Sequence, residues 1–152
     1  MMPEPKLTIE LVPSTSWYNN VRSHVTPAKW DKLRRECYAK AGAQCEICGA
    51  KGRMECHEIW AYDMQTKTQT LTGLICLCHE CHQCKHPGLA EVKGHAADVV
   101  RHLSRINGWT ADEAKAYIRK AFTVWEIRSS YHWTLDLTWL DRKVSQVNTC
   151  RS

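Results

Sequence analysis

No stretch of about eighteen consecutive apolar residues occurs in the 152-residue chain, so nothing in it reads as a membrane-spanning helix. Internal repeats and low-complexity segments are absent too, which excludes solenoids and biased tails. The opening residues Met1-Met2-Pro3-Glu4-Pro5-Lys6 lack the basic-then-apolar order of a secretory leader, and the expected compartment is the cytoplasm. Strong charge of one sign is also missing: 21 lysines and arginines face 16 acidic residues, a formal net charge of +5. Four thiolates bound to one zinc ion would add roughly −2 to that sum, so net charge alone is a weak pointer to nucleic acid. A local excess does exist in Lys29, Lys32, Arg34, Arg35 and Lys40. It reads either as a solvated helix face or as a phosphate contact.

Hydrophobic residues make up 43% of the chain, enough for an ordered core, and its length suits one domain spanning 1–152. The nine cysteines are an odd number, against complete internal pairing. In a reducing compartment, metal binding or burial as thiols is the better reading of them.

Leu7, Ile9 and Leu11 alternate with Thr8 and Glu10, which predicts a strand ending before Pro13. Thr26-Pro27 reads as an N-cap and first helical residue; Trp30, Leu33, Cys37, Tyr38 and Ala41 follow at helical spacing, and Gly42 suits the stop. From 43 to 88 the composition changes: seven of the nine cysteines and four of the eight histidines lie there. Two strands are expected at about 54–60 and 68–76, joined by the polar turn Asp63 to Lys67. A helix then starts near Glu80 and runs past His86 until Pro87-Gly88 breaks it. A further helix spans about Ala96 to Ile106. Thr110-Ala111-Asp112-Glu113 forms a capping box for a last one, whose apolar stripe runs through Ala114, Tyr117, Ile118, Ala121, Phe122 and Trp125. Trp133, Leu135, Leu137 and Trp139 alternate with polar residues as a terminal strand would. These aromatic side chains read as core rather than as base-stacking platforms.

Cys45-Glu46-Ile47-Cys48-Gly49 and Cys78-His79-Glu80-Cys81 are two C-x2-C pairs. A two-residue gap lets a tight turn aim both sulfurs at one point, and two such turns complete a tetrahedron around a structural zinc ion. Gly49 permits the positive backbone angle that such a knuckle often needs. An iron–sulfur run would continue through Cys84 to a cysteine at 88, where the chain has Gly88. A thioredoxin-like site would need a βαβ pattern, which is missing. Cys37, Cys56, Cys76 and Cys150 read as small buried hydrophobes or bystanders, while Cys84 is a possible substitute ligand.

His82 and His86 stand four residues apart, a spacing that puts both imidazoles on one helix face, able to share a divalent metal. His57-Glu58 lies within the span enclosed by the knuckles, so closing the sulfur site draws it toward that helix. Taken singly these residues have plainer uses; Glu58, for one, could pair with Lys85. A zinc deaminase would place its glutamate two residues after the histidine and a proline before the cysteine pair; here Glu58 adjoins His57 and Leu77 precedes Cys78.

Cys45-x2-Cys48-Gly49, then Glu55-Cys56-His57-Glu58-Ile59-Trp60, then Gly73-Leu74-Ile75-Cys76-Leu77-Cys78-x2-Cys81-His82-x3-His86, resembles the HNH endonuclease superfamily over residues 43–88. The resemblance implies an α+β fold: a zinc-stabilised ββα-metal core between flanking helices and short terminal strands. It implies phosphodiester hydrolysis of nucleic acid, DNA sooner than RNA, around a second divalent metal (Mg²⁺, Mn²⁺, Ni²⁺ or Zn²⁺) held by His57, His82 and His86. Glu58 takes the place of the histidine that deprotonates the attacking water, as base or instead as a further metal ligand, and Gly73 that of the asparagine that orients the base. Those two departures open a second expectation, a catalytically silent zinc module that binds nucleic acid or a protein partner. The tryptophan-rich flanks resemble those of small bacterial or phage proteins.

Overall fold

The computed structural model describes residues 4–149, without the side chains of 146–149; Cys150 lies outside the described residues. Among the described residues the fold is α+β, six α-helices and a three-stranded sheet. Thr26 caps α1 (Pro27–Lys40), its Oγ1 accepting from Lys29 N at 3.2 Å with Pro27 in the first turn. The centre is an antiparallel hairpin of β1 (Met54–Asp63) and β2 (Thr68–Cys78). Asp63 makes its turn: one carboxylate oxygen accepts from Gln65 N at 2.9 Å and Thr66 N at 3.2 Å. The register slips once, between Ile59 and Trp60, leaving Thr72 as the extra residue. That bulge brings Leu71 to the same face as Leu74, although they are three residues apart.

The hairpin separates two cores. On one face Leu77 and Ile75 pack with Cys84, Val99, Leu103, Ala114 and the N-terminal residues Leu7 and Ile9. On the other, Trp60, Leu71 and Leu74 pack with Val21, Leu33 and Leu140. The first face is covered by α2 (His79–Lys85), α4 (Ala96–Asn107) and α5 (Ala111–Ser129); the second by α1 and α6 (Thr138–Thr149). The helix starts follow local chemistry: Thr110 and Glu113 form the expected capping box, and Gly108 closes α4 at φ +69°. No helix among the described residues is long and apolar enough to cross a membrane.

Three local expectations are corrected. Residues 7–11 form no strand, although Leu7 and Ile9 are buried as the alternation implies. Their backbone groups bond to side chains of helices instead: Leu7 N donates to Asn107 Oδ1 at 2.9 Å, Asn107 Nδ2 returns a bond to Leu7 O at 2.8 Å, and Ile9 N donates to Tyr117 Oη at 3.2 Å. Pro87 ends α2 but opens α3 (Pro87–Val92), since a proline at the first helical position forfeits no hydrogen bond. The tail forms only β3 (Thr134–Asp136), parallel to Thr68–Thr70 of β2. Asp136 then accepts from Thr138 N at 3.0 Å and Thr138 Oγ1 at 2.7 Å, which turns the chain into α6.

Candidate metal centres

Cys45 and Cys48 sit on a tight knuckle where Cys45 N donates to Ala50 O and Gly49 N to Cys45 O, both at 2.9 Å, with Gly49 at φ +78°. Cys78 ends β2 and caps α2, and Cys81 lies in the first turn of that helix. The four sulfurs fall within 4.8 Å of one another, and Cys48 Sγ lies 3.5 Å from Cys78 Sγ. Sulfurs around a shared tetrahedral zinc, each at about 2.3 Å, would be about 3.8 Å apart, so the four cysteines form a site able to hold a metal such as zinc.

The donors around these sulfurs fit that assignment. Cys48 N points at Cys45 Sγ (3.5 Å) and Cys81 N at Cys78 Sγ (3.4 Å). His102, buried on α4, places Nε2 3.2 Å from Cys81 Sγ, and its Nδ1 lies 3.2 Å from an Arg105 guanidinium nitrogen. A guanidinium only donates, so His102 Nδ1 accepts and Nε2 carries the hydrogen toward the sulfur. Burial opposes ionisation of Cys45, but backbone donors at Cys48, Cys78 and Ile47 outweigh it and bring the thiol down to about 7. Burial pushes Cys78 up to about 12 and Cys81 higher still, and repulsion from neighbouring thiolates adds to both. Ionising all four sulfurs in this space would need a cation among them. Cys84 takes no part: it is buried, with Sγ 3.7 Å from Val99 O.

The second cluster joins strand to helix. His57 projects from β1, His82 from α2, and His86 follows one residue beyond the helix end, at φ −127° and ψ 62°. The ring centroids are 5.3 Å (His57–His82), 5.4 Å (His57–His86) and 5.0 Å (His82–His86) apart. His82 Nε2 and His86 Nε2 are separated by 3.3 Å, and a ligand atom of each of the three lies within 4.8 Å of the others. Nitrogens about 2.0–2.1 Å from one tetrahedral zinc would be about 3.3 Å apart. Burial, then the charges of His86 and His82, lowers the His57 imidazole to about 2; burial and His82 lower His86 to about 4. Both rings are thus neutral bases near pH 7, the form a metal needs.

Glu58 is not brought to this cluster. Successive strand residues face opposite ways. Its Oε2 accepts from Val21 N at 2.9 Å and its Oε1 from Trp60 Nε1 at 3.1 Å, in the core that α1 covers. Burial raises its pKa. The carboxylate fastens the 3-10 turn Val21–Ser23 to β1, and the expected base has no geometry for attack at the histidines. Gly73 pairs with Ile59; a Cβ built there meets only Ile59 Cδ1, at 4.0 Å, so nothing polar replaces the asparagine. Lys85 bonds Thr8 Oγ1 (3.0 Å) and Glu10 Oε2 (3.1 Å) instead of Glu58. In the basic stretch of α1, Arg34 and Arg35 both engage Asp31, and the helix packs on the face away from His57.

Two neighbours of these clusters are not legible in the sequence motifs. Glu55 lies one strand period before His57 and binds His82 Nδ1 with Oε1 (3.1 Å) and His79 Nδ1 with Oε2 (3.2 Å). The two-residue period alone could have found it. His102 carries no such signal, because only the packing of α4 on α2 brings it to Cys81. Comparison with protein-family models, with curated proteins and with solved structures gives no match to this chain.

Proposed function

We propose that the chain is a metal-dependent, HNH-like hydrolase of phosphodiester bonds in nucleic acid, DNA sooner than RNA. One observation carries this reading: an imidazole from β1 and two from α2 and its end converge, with nitrogens at metal-ligand spacing, beside a sulfur quartet on the same ββα unit. A divalent ion bound there would polarise a phosphate oxygen and acidify water. Three nitrogen donors suit Zn²⁺ or Ni²⁺; Mg²⁺, which prefers oxygen ligands, fits least of the ions expected. His57, His82 and His86 would hold the ion. Glu58 supplies no base. The test is incubation of metal-loaded protein with plasmid and single-stranded substrates. Cleavage should require the divalent ion and vanish in His57→Ala while the sulfur-bound zinc is retained. Metal uptake at the histidines without cleavage would reject the reading.

A second reading has its own support in the inward-facing Glu58 and the bare Gly73, both removing polar groups expected at an active centre. On that reading the unit is a silent zinc module that binds nucleic acid or a protein partner. Salt-dependent DNA affinity without cleavage, the mark of counterion release, would favour it.

A further inference from the structure

We propose that Glu55 is the positioning residue of the histidine cluster, fixing His82 in the one tautomer that turns Nε2 toward His57 and His86. This inference rests on the reading of the trio as a metal site. An ionised carboxylate can only accept hydrogen bonds, so its contact with His82 places the ring hydrogen on Nδ1. The lone pair then lies on Nε2, the atom 3.3 Å from His86 Nε2. Glu55 engages His82 Nδ1 through Oε1, at 3.1 Å. Its second oxygen is braced by His79 Nδ1, one helical turn before His82, so the carboxylate has little freedom to swing away.

An alternative role would be plain docking of α2 onto β1. Glu55→Gln separates the two, because glutamine keeps the size and can still bridge strand and helix but no longer enforces Nδ1–H. Outer partners of metal-binding histidines typically change metal affinity about 10–100-fold when removed. Zn²⁺ and Ni²⁺ should be titrated, against a competing chelator, into protein already carrying zinc at the sulfurs. Affinity is expected to fall by about that factor in Glu55→Gln and Glu55→Ala, with thermal stability of the glutamine variant near wild type. Nitrogen-15 spectra of the protein with no metal at the histidines provide a second readout. They should show His82 as the Nδ1–H tautomer in wild type and as a mixture in both variants.

Wild-type affinity and an unchanged tautomer in the two variants would overturn the proposal. Wild-type protein that takes up no metal beyond the sulfur-bound ion would overturn it together with the hydrolase reading. Glu55-dependent uptake without any cleavage would sustain the positioning role and overturn hydrolysis alone.

Discussion

His57 and Glu58 are chain neighbours with opposite destinations: the His57 ring stands 5.3 Å from that of His82, while Glu58 accepts from Val21 N and Trp60 Nε1 across the hairpin. Substituting the two should therefore have separable effects. Glu58→Ala leaves two buried donors unpaired, each worth about 1–3 kcal/mol. A lower melting temperature is expected, with metal affinity at the histidines unchanged. His57→Ala should do the reverse. Calorimetry and metal titration of both variants check this, and loss of metal uptake in Glu58→Ala would contradict it.

Acid should weaken the fold through the histidines. His57 and His86 sit well below their ordinary value of 6.5, chiefly through burial. Below 6.5 the unfolded chain binds protons that the folded chain refuses, so stability is complete above that value and falls as the pH drops toward about 4 for His86 and about 2 for His57. Glu58, raised by burial, acts in the opposite sense, losing stability as pH rises through its folded pKa. With no metal at the histidines, melting temperatures between pH 7 and 5, before acid strips the sulfur site, should fall in wild type and fall less in His57→Ala.

Removing the sulfur-bound metal should cost far more than any single side chain. Apparent binding energies of structural zinc in small modules are about 10–16 kcal/mol near neutral pH. Purified protein is expected to hold at least one zinc. A strong chelator, or Cys48→Ser, should abolish cooperative unfolding and the near-ultraviolet signal of the packed tryptophans. Native spectra in metal-free protein would reject the quartet as a structural site.

His102 should protect Cys81. Its Nε2 lies 3.2 Å from the sulfur, and a hydrogen bond to a thiolate lowers its nucleophilicity. In His102→Ala, alkylation of Cys81 and the accompanying zinc release should quicken by about tenfold, in line with other outer-shell losses. Release can be followed with a chromogenic chelator. An unchanged rate would leave the histidine with a packing role only.

Much of the fold is legible because local chemistry and packing agree. Thr26-Pro27 and the Thr110–Glu113 box start helices wherever they stand, and C-x2-C pairs close on each other through any intervening hairpin. Legibility fails where a side chain replaces a backbone partner. Asn107 and Tyr117 bond the backbone of Leu7 and Ile9, so a segment with strand periodicity needs no strand beside it. Asp136 interrupts another alternation after three residues. For the candidate site, the histidines follow from spacing, but the facing of Glu58 follows only from strand period combined with which face α2 covers. A motif aligned residue by residue does not contain that information.

Cys78 is at once the last residue of β2, the N-cap of α2 and a member of the sulfur quartet. A seven-residue helix is far too short to persist alone, since isolated helices below about 12–15 residues are marginal in water. Loading the sulfurs would thus favour winding of the segment on which His82 sits, just before His86. Were the imidazoles also to take an ion, as proposed, its uptake should follow that of the sulfurs, because the helix that presents His82 starts at a residue of the quartet.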